Sequence, residues 1–203
     1  MKVAIVDYGA GNLRSVISAL RSIGCDAFVA ESQRDVERAR AMILPGVGAA
    51  TDTMSNLRLR GLAEVVVRWI EADHPFLGIC MGMQVLFSHS DEGEGQRCLD
   101  ILPGRVVRLP DGPKVPHMGW NQVHYRRDLP LFHSIPDGSN FYFVHSYVVQ
   151  PEDSSIVAAE TSYGESFCSA IQRGSLFATQ FHPEKSGALG LQLYRNFVDV
   201  SAA

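Results

Sequence analysis

Cys80 stands in Gly78-Ile79-Cys80-Met81-Gly82, a G-x-C-x-G pattern at the end of the apolar run Phe76-Leu77-Gly78-Ile79. A cysteine that serves only as a small buried hydrophobe needs no glycine on either side. Glycine is required where the backbone takes a conformation other residues resist, or where another group comes close. The pattern parallels the G-x-S-x-G elbow, in which a nucleophile is held out on a sharp strand-to-helix turn. The amino end of a following helix would favour the thiolate, lowering the thiol pKa from its free value of roughly 8.5. A tight junction whose glycines serve packing alone is the competing reading of the same residues.

A thiol nucleophile needs a base, and the base needs an orienter. Of the seven histidines, His182 stands in Gln180-Phe181-His182-Pro183-Glu184-Lys185, at the end of a strand-like run. In extended backbone His182 and Glu184 would leave on the same side. A carboxylate there fixes the imidazole tautomer and stabilises the imidazolium. His74, His89 and His133 have no such neighbours and read as surface or loop residues. Acyl transfer also needs donors for a developing oxyanion. The N–H of Met81 is one candidate; the loop Pro45-Gly46-Val47-Gly48 is a second, although by itself it reads as a plain glycine-rich connection.

Other chemistries are poorly supported. No H-E-x-x-H or Cys/His cluster points to a metal, and no cofactor is implied. Gly9-Ala10-Gly11 followed by Glu31 imitates a dinucleotide-binding start, but Arg14 occupies the third glycine position of that fingerprint. A P-loop sequence is also absent.

The elements that must position these residues alternate over the first half. Lys2 to Asp7 predicts a buried strand, Leu13 to Ile23 a helix stopped by Gly24, and Asp26 to Ala30 a second strand. Arg34 to Arg40 predicts a short helix, and Ala41 to Leu44 leads into the 45–48 loop. Leu62 to Ala72 predicts a helix, Pro75 to Ile79 a strand, Gly82 to His89 a helix, and Ser90 to Gln96 a polar surface loop. This alternation predicts an α/β fold with a mostly parallel central sheet and flanking helices. From Gly104 onward short β-rich segments follow: Arg105 to Leu109, Asn121 to Tyr125, Asn140 to Gln150, Ser155 to Glu160, Phe167 to Gln172 and Leu176 to Phe181. These predict a mainly antiparallel second half, closed by a helix over Leu189 to Val200.

Length and composition bound the rest. With 203 residues, 46% hydrophobic and 20% charged, and no linker or repeat, the chain reads as one domain over 1–203. A net charge of −4 without a basic run argues against nucleic acid as partner. No apolar stretch is long enough to span a bilayer, which argues against a membrane. Cys25, Cys80, Cys98 and Cys168 are far apart, as expected of reduced thiols in the cytoplasm.

Taken together, GICMGMQ at 78–84 and HPE at 182–184 resemble the class I, or triad, glutamine amidotransferases. DYGAGNLRSV near the start, LPGVG at 44–48, PHMGWN at 116–121, FVHSY at 143–147 and HPEKS at 182–186 narrow the likeness. The combination is similar to the glutaminase subunits of imidazole glycerol phosphate synthase, over residues 3 to about 198. The resemblance implies that Cys80 attacks the side-chain amide of L-glutamine, with His182 as base and acid and Glu184 as orienter. It implies glutamine binding by Gly48, Gln84 and the backbone of Ser146 and Tyr147, and an oxyanion site of Val47, Gly48 and Met81. It implies a (β/α)8-barrel cyclase subunit as heterodimeric partner, met by Asn12, Trp120 and Lys185. That partner would use the ammonia to make imidazole glycerol phosphate and aminoimidazole carboxamide ribonucleotide in histidine biosynthesis. Relatives commonly show Gly-Leu-Gly where this chain has Cys98-Leu99-Asp100. A stand-alone thiol hydrolase or glutaminase, service to another synthase, and a silent scaffold remain open, the last disfavoured because the whole triad is present.

Overall fold

The computed structural model describes residues 1–110 and 113–202. The first half alternates strand and helix: β1 (Lys2–Val6), α1 (Leu13–Ser22), β2 (Asp26–Ala30), α2 (Gln33–Val36), β3 (Ala41–Leu44), α3 (Ala50–Leu59), α4 (Ala63–Glu71), β4 (Phe76–Ile79) and α5 (Met81–Gln84). The second half is β-rich: β5 (Phe87–Ser90), β6 (Gln96–Arg97), β7 (Leu102–Arg108), β8 (His117–Tyr125), β9 (Ser139–His145), β10 (Tyr147–Pro151), β11 (Val157–Tyr163), β12 (Glu165–Arg173) and β13 (Leu176–Thr179). Helix α6 (Gly187–Val200) closes it.

The two textures share one sheet, ordered β2-β1-β3-β4-β13-β12-β10-β7-β5-β6. Pairs from β2 to β13 along this path are parallel. Beyond β13 they are antiparallel, except β5 with β7. Strand β11 branches from β12 and carries β8, which pairs with β9, as a wing.

Strands β3, β4 and β13 are buried throughout, as continuous apolar runs covered on both faces should be. Alternate residues feed two cores. Ala4, Val6, Met42, Leu44, Phe76 and Ala178 face α3 and α4; Val3, Ile5, Ile43, Leu77 and Phe177 face α1 and α6. None of the described helices is long and apolar enough to cross a membrane.

Four local expectations need correction. Helix α3 had no counterpart in the sequence reading; its buried Ala50, Thr53, Met54 and Leu57 keep helical spacing, but Thr, Ser and Asn between them blur the pattern. The helix expected over Gly82 to His89 stops after one turn, and Phe87–Ser90 instead becomes β5, because β6 and β7 offer it strand partners. The single strand expected over Asn140 to Gln150 breaks at Ser146 into β9 and β10, which join different partners. The loop at 90–96 is not merely surface: Glu92 Oε2 accepts from the Ala50 N–H at 2.7 Å, satisfying a donor in the first turn of α3. Asp100 takes φ 58°, a left-handed conformation that aspartate tolerates better than most side chains.

The glycines beside Cys80 have ordinary φ values; Cys80 itself is at φ 54°, ψ −108°. Their role is close approach. A Cβ on Gly82 would strike the Leu44 carbonyl oxygen, and one on Gly78 would come within 2.6 Å of the Gly82 carbonyl. Gly46 is equally confined, 2.6 Å from the Gly82 nitrogen by the same measure. Gly82→Ala should therefore destabilise the fold by about 2–3 kcal/mol, an overpacking cost. Thermal unfolding should show this as a loss on the order of 5–10 °C; an unchanged melting temperature would refute the packing role.

Candidate active site

Cys80 follows β4 at the carboxyl edge of the parallel sheet, between β3 and β13, the edge where open α/β sheets bind ligands. Its N–H donates to the Thr179 carbonyl at 2.7 Å, and its carbonyl accepts from Met83 and Gln84 at 2.9 and 3.1 Å. The elbow is therefore tied to β13 on one side and to the single turn of α5 on the other. A non-glycine residue in this backbone region costs on the order of 1–3 kcal/mol, and the three-glycine packing below holds it there.

His182 caps a 3-10 turn over Pro183–Lys185, so Glu184 is not in the extended backbone expected. The turn still brings the pair together: His182 Nδ1 and Glu184 Oε1 are 2.8 Å apart and both side chains are buried. The His182 N–H donates to the Tyr142 carbonyl at 2.9 Å, and Ser186 Oγ accepts from the Tyr142 N–H at 3.0 Å. The HPEKS turn is thus clamped to β9.

The other ring nitrogen of His182, Nε2, is buried with no well-aligned partner and is directed to the Cys80 side. Burial works against a charge on His182, but hydrogen bonding and charge from Cys80 and Glu184 outweigh it and raise its pKa to about 10. The imidazolium is thus favoured beside the sulfur. The outer Glu184 oxygen and the Tyr194 hydroxyl are buried neighbours without aligned bonds. Burial and the carboxylate charge push the Tyr194 phenol well above its ordinary range.

A cleft of about 400 Å³ opens over the sulfur, lined by Val47, Gly48, Cys80, Met81, Gln84, Glu92, Pro116, Val144, His145, Ser146, Tyr147, His182 and Lys185. Every residue anticipated for glutamine or oxyanion binding lines it. Gln84 is more committed than expected: its Nε2 donates to the Tyr147 carbonyl and to Gln180 Oε1, both at 3.0 Å. Beneath the 45–48 loop, the buried Tyr8 hydroxyl has Thr53 and the Val47 N–H as polar neighbours.

The residues anticipated for a partner divide. Trp120 is 58% exposed and meets Tyr142 edge-on, and Lys185 Nζ lies 5.5 Å from the same ring. Asn12 immediately precedes α1, where its Oδ1 accepts from Ser15 Oγ at 2.8 Å. Three contributors escaped the sequence reading. Gln180 donates through Nε2 to Cys80 Sγ at 3.5 Å, Glu92 puts a carboxylate in the cleft, and Tyr142 joins the Trp120 surface to the His182 turn. Only the position of Gln180 two residues before His182 could have singled it out.

The comparisons agree with this geometry. The family model for glutamine amidotransferase class-I matches residues 4–200. The chain is 52% identical to the imidazole glycerol phosphate synthase subunit HisH of Dehalococcoides mccartyi, covering 96% of this chain and 95% of that one. It is 51% identical to the HisH subunit of Chloroflexus aurantiacus, over 99% and 97% of the two chains. Among solved structures, a glutamine amidotransferase superposes with TM-score 0.76 at 21% identity, over 99% of each chain. PurLQS from Thermotoga maritima gives 0.77 at 16% identity, over 98% of each, a likeness of fold. With a thiol elbow, a paired histidine and carboxylate, and a family match over nearly its whole length, the chain belongs to the class I glutamine amidotransferase family.

Proposed function

We propose that this chain is the glutaminase subunit of an imidazole glycerol phosphate synthase, hydrolysing L-glutamine to glutamate and ammonia for a cyclase partner in histidine biosynthesis. The observation that carries this reading is the convergence of Cys80, His182 and Glu184 in one cleft of a chain about half identical to HisH subunits over their length.

The Cys80 thiolate attacks the side-chain amide carbon of glutamine. The imidazolium of His182 gives its proton to the departing nitrogen, and ammonia leaves a glutamyl thioester. His182, now neutral, takes a proton from water as the water attacks the thioester; glutamate departs and the thiolate returns. Glu184 keeps Nδ1 protonated throughout, so that Nε2 faces the reacting atoms. Gln180 donates to the sulfur and steadies its negative charge. The oxyanion is met by the Met81 N–H and by the Val47–Gly48 loop, which lines the same cleft. Gly48, Gln84, Ser146 and Tyr147 hold the amino-acid end, and the Glu92 carboxylate supplies a counter-charge for its ammonium.

Ammonia is lost to water unless its consumer covers the cleft. The exposed Met118 and Trp120, with Lys185 at the cleft, form the face that docks the cyclase, a (β/α)8 barrel, and Asn12 is a further contact that the family likeness implies. Four free thiols, as expected of a cytoplasmic protein, support a heterodimer that works in the cytoplasm. Trp120 is an aromatic anchor of the kind interfaces favour, and its neighbour Tyr142 is hydrogen-bonded to His182. Docking and triad geometry are therefore mechanically adjacent.

Three outcomes are expected. Cys80→Ala should abolish glutamate release from glutamine, by at least about 10³-fold, with the fold and cyclase binding kept; retained glutaminase would refute the nucleophile. Gln180→Leu should lower kcat/KM on the order of 10- to 100-fold, the worth of a hydrogen bond to a charged group. An unchanged value in steady-state assays would make Gln180 a packing residue. Trp120→Ala should weaken cyclase binding, read by titration calorimetry, on the order of tenfold or more, and the melting temperature should hold. A large loss of melting temperature with normal binding would instead make Trp120 structural.

A further inference from the structure

His117 and His145 are buried on paired strands, directly opposite one another in the β8–β9 register. His117 Nδ1 and His145 Nε2 are 2.9 Å apart. On one side Asn121 Nδ2 lies 3.2 Å from His117 Nε2; on the other, His145 Nδ1 lies 3.0 Å from the Tyr147 carbonyl.

The chemistry of the two ends sets the direction of every bond between them. The Tyr147 carbonyl can only accept, so His145 carries its proton on Nδ1 and its Nε2 accepts. His117 must then donate through Nδ1, leaving Nε2 as acceptor for Asn121. The Asn121 amide is held in that sense, because its Nδ2 also donates to the Ser162 carbonyl at 2.9 Å and its Oδ1 accepts from the Gln122 N–H at 2.8 Å. Every donor meets an acceptor only while both rings are neutral. A proton added to either ring would set N–H against N–H or strand a donor in the interior.

The surroundings keep the rings neutral. Tyr163 of β11 stacks on His117 with centroids 3.9 Å apart, and Phe143 of β9 at 4.8 Å. Phe167 of β12 packs on His145 at 5.2 Å. Burial lowers His117 to about 4. Burial also lowers His145 to about 3, with the charges of His117 and His182 acting in the same sense and the Tyr147 carbonyl against them. Tyr163, the other titratable neighbour, donates its hydroxyl to the Lys114 carbonyl. Among the described residues, neither ring has a carboxylate partner.

The chain of bonds does not stop at Tyr147. The same carbonyl receives Gln84 Nε2, Gln84 binds Gln180, and Gln180 donates to Cys80 Sγ. At the other end, β8 turns Met118 and Trp120 outward, 63% and 58% exposed, while alternate residues His117 and Asn121 carry the bonds on its other face.

We propose that His117 and His145 are positioning residues: as two neutral imidazoles they hold the Tyr147 carbonyl, and with it the Ser146–Tyr147 step and Gln84, in the shape that seats glutamine. Substrate seating is thereby tied to the position of β8, the strand that carries the docking side chains. This rests on the glutaminase reading and extends it to a histidine pair of which only His145 reaches the cleft wall.

The test is steady-state glutaminase kinetics at saturating cyclase for the wild type, His117→Phe, His117→Asn and Asn121→Ala. His117→Phe keeps a flat ring but gives His145 no donor, and should raise KM for glutamine about tenfold with kcat within about twofold. His117→Asn can place its amide nitrogen where Nδ1 stood, and should bring KM back to within about threefold of wild type. Asn121→Ala, at the outer end, should raise KM about threefold, and it decides the matter if His117→Phe does not fold. An unchanged KM in His117→Phe and Asn121→Ala, or equal losses in His117→Phe and His117→Asn, would overturn the relay. An inactive wild type with cyclase present would instead overturn the glutaminase reading on which it stands.

Discussion

The close approach of Gly82 to the Leu44 carbonyl oxygen is the constraint on which the rest of the site depends. Cys80 holds a backbone conformation, φ 54° and ψ −108°, that no side-chain-bearing residue adopts without cost. Gly46, Gly78 and Gly82 let α5 press onto β3 and β4 so tightly that the turn between them has no easier path. Cys80 is held in this turn because its surroundings are incompressible, in the way packed interiors transmit strain. The positive charge beside the sulfur comes mainly from His182, since α5 is a single turn and brings little dipole of its own.

Around that fixed point two hydrogen-bond systems reach out along the β8–β9 wing. One runs through the backbone: Tyr142 in β9 binds both the His182 N–H and Ser186 Oγ, and its ring lies between Trp120 and Lys185. The other runs through side chains, from Asn121 by way of His117 and His145 to Tyr147, Gln84, Gln180 and the sulfur. Both begin on the face assigned to the partner and end on a catalytic or substrate-holding group. A glutaminase that should work only when its ammonia has a destination gains from such wiring.

Much of this was legible from residue order. Parallel strands buried on both faces appear as runs such as Val3-Ala4-Ile5-Val6 and Ala41-Met42-Ile43-Leu44, and Gly24 marks the end of α1. Cys80, His182 and Glu184 stood out as candidates because a thiol between glycines and an H-x-E pair are local patterns. What was missed had weak local signals or depended on distant partners. Helix α3 hides its buried face among polar residues, and 87–90 has helical continuity until β6 and β7 offer it a sheet. Gln180 and Glu92 look like ordinary polar residues, and only folding puts one against the sulfur and the other in the cleft.

The sequence alone therefore determined the candidates for the chemistry, a cysteine between glycines and a histidine with a carboxylate two residues on, together with the fold class and the family likeness, all properties of residue types at short spacings. Tertiary structure alone decided the state and reach of that chemistry. It put the strain on Cys80 and not on its glycines, left both Gln84 hydrogens committed to the protein, and made His117 and His145 a neutral pair. The reason is physical. A side chain's charge, tautomer and free hydrogen-bonding capacity depend on what surrounds it in space. His182 and His145 are the same residue type, yet a carboxylate and a thiol raise one, and an apolar cage lowers the other.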